Sequence, residues 1–264
     1  MPIVTLTSDF GWKDYYLPMI KGAILCKNEQ IQIVDIAHDI PNYDIVQAAF
    51  IFKNCWQSFP KGTIHLISVN DYPEEKEKGF VAIAHEGHFF IGPDNGVFSL
   101  IFGVIPQSIF QLDPKPDARF PLAEVYANAV GHLAAGKPIQ EIGSPASDLV
   151  QRITFTPVQS HSQIRGSVIH VDQFENVILN ITKTVFEQVG QGREFSLFFK
   201  RHDPITLLSQ QYQDVEVGEI LCLFNAADLL EIAVNMGKAS SLFGLKVEDT
   251  VQIDFRTKPE EQEN

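Results

Sequence analysis

Acidic and aromatic side chains stand where the hydrophobic runs stop. Residues 3–8 (IVTLTS) form a β-rich run that ends in the turn signal Asp9-Phe10-Gly11, with Asp14 five residues after Asp9. An ionised carboxylate only accepts hydrogen bonds and can take two at once, so Asp9 suits a diol such as that of a ribose. The same residues also suit a turn aspartate followed by a helix cap. The run 32–37 (QIVDIA) leads into His38-Asp39-Ile40-Pro41-Asn42-Tyr43-Asp44. Here Tyr43 can wall a base, or the segment can be a loop in which Asp44 caps the following helix. The run 64–69 (IHLISV) ends in Asp71-Tyr72-Pro73. Three successive strand ends thus carry Asp, Tyr and Asp-Tyr, on the edge where open α/β sheets bind ligands.

Other constellations lie further along. Pro93-Asp94-Asn95-Gly96 reads as a structural turn that starts a helix. Asp172-Gln173-Phe174-Glu175-Asn176 lies between two strand-like runs and suits either an amino group and an adenine edge or a polar turn. Phe224-Asn225-Ala226-Ala227-Asp228, with Leu230 to Asn235, suits a hairpin whose backbone meets a ligand. His132, beside Gly131 in a helical run, reads as packed rather than catalytic. His85-Glu86-Gly87-His88 is too closely spaced for the helical zinc motif and sits in hairpin-like sequence, so no metal is expected. Cys26, Cys55 and Cys222 are odd in number, far apart and set in apolar stretches. They read as buried thiols in a reducing cytoplasm.

The elements that must position these groups change character along the chain. Residues 1–145 alternate strands with helical spacing at 15–27, 44–58, 95–102 and 123–135, and FVAIA with HFFIG reads as a hairpin. This is an α/β domain with a largely parallel sheet. Asp71 to Gly79 is charged, aperiodic and read as a loop. Residues 146–163 read as a polar, extended linker. From 164 to 257 the runs are short and strand-like (SVIHVD, NVILNI, EFSLFF, ITLLS, EILCLF, LLEIAV, VQIDF), which predicts an all-β barrel domain. Residues 258–264 read as a frayed tail.

Of the 264 residues, 45% are hydrophobic and 20% charged, enough apolar surface for packed domains rather than a disordered chain. No apolar run reaches the roughly 18 residues of a membrane span, and the N-terminus lacks the look of a signal peptide. With 20 basic against 33 acidic residues the net charge is −13, and no basic stripe is visible. Nucleic acid and membrane partners are therefore not expected, and a small-molecule substrate is.

In collinear order the segments TLTSDFGWKDYY, MIKGAI, IVDIAHDIPNYDIVQAA, FPKGTIHLISV, FFIGPDNGVFSL, HVDQFENVILNI and LLEIAVNMGKASSLFGL resemble the S-adenosylmethionine (SAM) hydroxide adenosyltransferases over residues 3–255. These are relatives of the fluorinase and chlorinase. The resemblance implies an α/β domain, a β-barrel domain and a homotrimer. It also implies SN2 attack of water at the ribose 5′ carbon of SAM, giving adenosine and methionine with no cofactor or metal. Asp9 then holds the ribose diol, Asp14 and Asp172 lie near the methionine amino group, and Tyr43 flanks the ligand. Phe174 and Asn176 form the adenine-side pair, although the family's Phe-Gly-Asn here reads Phe-Glu-Asn.

The water-activating residues of that family do not carry over. Aligned on Pro73, its catalytic Asp falls at Tyr72, as in the halogenating relatives. Only Lys76 and Lys78 stand where its Arg is expected, and Pro121 stands where its His is expected. Ala226 and Ala227 replace polar residues at the methionine carboxylate end. The expectation is a divergent SAM hydrolase in which Asp71, Tyr72 or a lysine positions the water, with Asp71 and Tyr72 taken as catalytic and weak pH dependence in the histidine range. The alternatives are a SAM- or nucleoside-binding relative with lost or altered catalysis, and a trimeric interaction protein that keeps only the fold.

Overall fold

The computed structural model describes residues 1–71, 79–104, 106–113, 120–200 and 202–256. Tyr72, Lys76, Lys78 and the tail 258–264 lie outside the described residues. The chain forms two compact units, Met1–Thr154 and Phe155–Asn264.

The first unit runs β1 (Ile3–Ser8), α1 (Tyr16–Lys27), β2 (Gln32–Ala37), α2 (Ile45–Lys53), β3 (Ile64–Ser68), β4 (Phe80–His85), β5 (His88–Pro93), α3 (Val97–Phe102), β6 (Ser108–Leu112), α4 (Pro121–Ala134) and β7 (Ser144–Ala146). Its sheet has the order β2-β1-β3-β5-β4-β6-β7. β2, β1, β3 and β5 are mutually parallel, and the β4–β5 hairpin and β7 pair antiparallel. β4 and β5 turn through Glu86 and Gly87, as the expected hairpin.

Alternation along the strands builds a core on each face of this sheet. Val4, Leu6, Ile64, Leu66, Phe80 and Ala82 face α1 and α4, while Ile67, Val69, Val81 and Ile83 face α2 and α3. Leu17, Ile20 and Ile24 repeat at helical spacing and are the buried positions of α1. Each contributes about 1.5–3 kcal/mol by leaving water. Cys26 is two residues beyond Ile24, so it turns away from that stripe and is exposed, contrary to the expectation of a buried thiol. Cys55 is half-buried and Cys222 buried.

The expected helix 44–58 is shorter, ending at Lys53 before a single 3₁₀ turn at Trp56–Ser58. Asp44 does cap it, accepting from the backbone N–H of Val46 and Gln47. The first part of the expected linker is tied to this unit: Leu149 is buried, and Val150 N–H donates to Asp94 Oδ1 at 2.8 Å. Gly96, at φ +103, has no room for a β carbon, which would lie 2.2 Å from Arg152 Cγ.

The second unit runs β8 (Val158–Gln159), β9 (Gln163–Val171), β10 (Val177–Thr182), α5 (Lys183–Gly190), β11 (Phe195–Phe199), β12 (Ile220–Phe224), β13 (Leu229–Val234), α6 (Ala239–Phe243) and β14 (Thr250–Phe255). The strands form one antiparallel sheet, β11-β14-β9-β10-β13-β12, with β8 beside β9. It has the form of a half-barrel. The expected strand ITLLS makes only single bridges, Ile205 to Leu197 and Leu208 to Cys222. One sheet face supplies the core: Val177, Leu179 and Ile181 alternate on β10, and Leu230, Ile232 and Val234 on β13. Phe186 of α5 closes its end against Phe195, Phe224 and Phe255.

Among the described residues no helix is long and apolar enough to cross a membrane. No group of three or more His, Cys, Asp or Glu among them is placed to hold a metal.

Candidate active site

In the first unit the strand order reverses at β1. The chain moves outward to β2, then crosses back to place β3 on the other side of β1. Open α/β sheets leave a crevice at such a point, beyond the carboxyl ends of the strands. Asp9 stands at the end of β1, and Asn70 and Asp71 follow β3.

Asp9 is nearly buried, and its Oδ2 accepts the backbone N–H of Tyr43 at 2.9 Å and of Asn70 at 3.3 Å. Both donors are left-handed, with φ of +67 for Tyr43 and +51 for Asn70. A bulky residue such as Tyr is strained there, and the shared carboxylate offsets that cost. Asn42 Nδ2 donates to the Asp9 carbonyl, and Asn95 Nδ2 donates to the carbonyls of Val69 and Asn70. One carboxylate therefore gathers the loops after β2 and β3, leaving Oδ1 of Asp9 without a bond among the described residues. The Tyr43 ring is 72% exposed, free to meet a planar ligand.

Asp71 is 6% exposed. Ser68 Oγ donates to its Oδ2 at 2.6 Å, and the Tyr126 hydroxyl donates to its Oδ1. Burial pushes the carboxyl up to about 7, against these two donors and with the charge of Asp9 adding to the rise. Its ionisation therefore falls in the range where histidines titrate. Tyr126 is not legible in the sequence, because nothing local in the chain links it to a residue 55 positions earlier.

A second chain of polar groups backs the crevice. Ser8 Oγ and His38 Nδ1 share a hydrogen bond of 2.7 Å, and His38 Nε2 lies 3.0 Å from Asp35 Oδ1. Lys21 Nζ donates to Asp35 at 2.7 Å. Burial lowers the His38 pKa and outweighs Asp35, which favours the neutral imidazole. His38 also accepts Gly11 N–H through its carbonyl at 2.8 Å, which fixes the turn after Asp9.

Asp14 is exposed ahead of α1. His132 Nε2 bonds the Pro138 carbonyl at 2.8 Å and lines a depression of about 190 Å³ with Asp113, Glu124 and Glu141. Asp9, Tyr43 and Asp71 do not line it. His132 thus caps the chain after its own helix.

In the second unit Asp172 organises the β9–β10 turn. Its Oδ1 accepts Phe174 N–H at 2.9 Å and Asn176 N–H at 2.8 Å, and its Oδ2 accepts Asn176 Nδ2 at 3.1 Å. Phe174 is 74% exposed and Asn176 buried. Glu175 sits at φ +64, the conformation that favours the Gly of the Phe-Gly-Asn pattern. Its carboxylate instead binds Lys238 Nζ at 2.7 Å and Ser241 N–H at 3.0 Å, which ties the turn to α6. Nearby Glu231 is buried and accepts from Tyr212 and Asn225, and burial raises its pKa. The same Asn225 accepts Ala227 N–H at 3.0 Å, fixing the Ala226-Ala227 turn.

A buried acid that ionises late makes stability depend on pH. Well below its ordinary 3.8 Asp71 is protonated both folded and unfolded; from 3.8 up to about 7 the unfolded chain ionises first, so stability falls as pH rises. Asp71→Asn keeps the shape without the charge. Its Tm should match wild type near about pH 3 and exceed it by at least about 2–4 °C at pH 8. Thermal scans giving a difference independent of pH would contradict the burial of an ionising carboxyl.

The chain matches family models described as the SAM hydroxide adenosyltransferase N-terminal domain over residues 4–143 and C-terminal domain over residues 166–252. The (R)-S-adenosyl-L-methionine hydrolase of Methanocaldococcus jannaschii is 25% identical, with 97% of each chain covered. That of Thermus thermophilus is 27% identical, covering 92% of this chain and 96% of its own. A crystal structure of an uncharacterized conserved protein from Thermotoga maritima superimposes with a TM-score of 0.85 at 25% identity, covering 96% of this chain and 99% of that one. With both family models matched in order and the strand-end carboxylates in place, the chain belongs to the SAM hydroxide adenosyltransferase family.

Proposed function

We propose that the protein hydrolyses SAM to adenosine and L-methionine. The observation that carries this reading is the pair of carboxylates, Asp9 and Asp71, at the crevice between β1 and β3. The reaction needs little covalent help from the protein. The water oxygen bonds to the 5′ carbon, the carbon–sulfur bond breaks, and its electron pair stays on the sulfur of neutral methionine. The released proton passes to a carboxylate. A sulfonium is already a good leaving group, so in-line placement of water supplies most of the acceleration. A carboxylate has about four acceptor positions. Two on Asp71 take the Ser68 and Tyr126 hydroxyls, and the others can take the water.

We assign Asp9 Oδ1 to the ribose diol, Tyr43 and Phe174 to the exposed faces that flank the ligand, and Asn176 to the adenine edge. Asp14 and Asp172 supply negative charge for the methionine ammonium. Tyr72 is assigned beside Asp71 as a catalytic residue. No cofactor or metal enters this scheme. The segment 205–208, bridged to both edge strands, is read as the seam that closes the second unit into a barrel. Residues 1–145 and 164–257 are taken as the two domains, joined by 146–163. Three free thiols suit the cytoplasm.

Incubating the purified protein with SAM and separating the products should give adenosine and methionine in equal amounts. Recovery of unchanged SAM after many enzyme equivalents would favour a binding protein. Asp9→Ala should weaken SAM binding by about 1–3 kcal/mol in calorimetry, the scale of unmet buried polar groups, and unchanged affinity would remove Asp9 from the site. His132→Ala should turn over near the wild-type rate, whereas Asp71→Asn should lose at least about tenfold, or 1.4 kcal/mol of barrier. The substrate residues fall in both units, and a homotrimer is the assembly proposed; light scattering giving a monomer would rule it out.

A further inference from the structure

Tyr126 is completely buried in the middle of α4, its ring edge-on to Phe80 with centroids 5.5 Å apart. Packing alone would be met as well by Phe. What the tyrosine adds is a hydroxyl, and that hydroxyl donates to Asp71 Oδ1. We propose that Tyr126 is a positioning residue for hydrolysis: it holds one oxygen of Asp71 so that the ionised carboxylate faces the attacking water. This rests on the reading of the protein as a SAM hydrolase that uses Asp71.

The groups that face Asp71 define its balance. Ser68 comes from β3, Tyr126 from α4 and Asp9 from the end of β1. The two hydroxyls favour the charged form; burial and Asp9 oppose it. Among the described residues no cation pairs with it. Each donor therefore matters more than it would beside an arginine, because nothing else on these elements stabilises the anion. Removal of the phenol oxygen leaves the carboxylate with one hydroxyl and moves its ionisation to higher pH. The step it serves is balanced: water loses a proton to Asp71 as its oxygen joins the 5′ carbon and methionine departs.

Tyr126→Phe tests this with the ring retained. The acid limb of the kcat/KM profile should move up, with a loss of roughly fivefold at pH 6 that nearly vanishes at pH 9, the size of one hydrogen bond expressed as a pKa shift. KM for SAM should stay within about twofold, since Asp71 serves the transition state. Replacing Tyr126 with 3-fluorotyrosine, a stronger donor, should move the limb down, and covers the case in which Tyr126→Phe does not fold. A second readout needs no turnover. The pH at which the Tm gain of Asp71→Asn levels off should be higher in the Tyr126→Phe background. A loss equal at all pH values, with that plateau unmoved, overturns the proposal. If the wild type yields no adenosine, the hydrolase reading fails by itself, and the plateau comparison still decides whether Tyr126 controls Asp71.

Discussion

The structure of the first unit turns on one electrostatic problem: two carboxylates, Asp9 and Asp71, held close together in a largely dry place. Charges out of water are costly unless hydrogen-bonded or paired. The chain solves this with neutral donors. Asp9 is stabilised by backbone N–H groups from two loops, and Asp71 by two hydroxyls. The two solutions differ in consequence. Backbone donors to Asp9 fix the two loops around it. Asp71, more deeply buried, is held near the point where it can take or give a proton.

Local geometry follows from those bonds. Tyr43 and Asn70 occupy left-handed backbone because Asp9 receives their amides, and that conformation turns the Tyr43 ring outward. The Lys21–Asp35–His38–Ser8 chain then fixes the neighbouring turn from the other side. The second unit uses a similar device. Asp172 folds its own loop, Glu175 anchors it to α6, and Phe174 is left projecting. In both units a carboxylate shapes a turn that presents an aromatic ring to solvent.

Much of this was legible in the chain. Asp9, Tyr43 and Asp71 follow hydrophobic runs of strand spacing, and a parallel sheet must bring such ends to one edge. Asp44 was readable as a cap because capping is a matter between neighbours. The β4–β5 hairpin was readable for the same reason. Tyr126 was not, since its hydroxyl meets its partner only after α4 docks on the sheet. The exposure of Cys26 was missed because an apolar stretch can still turn one side chain to water. Asp172 was singled out, but not that both of its oxygens are occupied by its own turn. The expected strand ITLLS has the composition of a strand, yet tertiary pairing leaves it with two single bridges.

The account depends most on Asp71 being a buried acid that ionises near neutrality. Carbon-13 NMR of protein labelled at the aspartate carboxyls, assigned by comparison with Asp71→Asn, measures this without any substrate. The account predicts one resonance, absent from the variant, that titrates with a midpoint of about 7. A midpoint near the ordinary 3.8 would mean that the carboxylate is solvated or paired, and would contradict it.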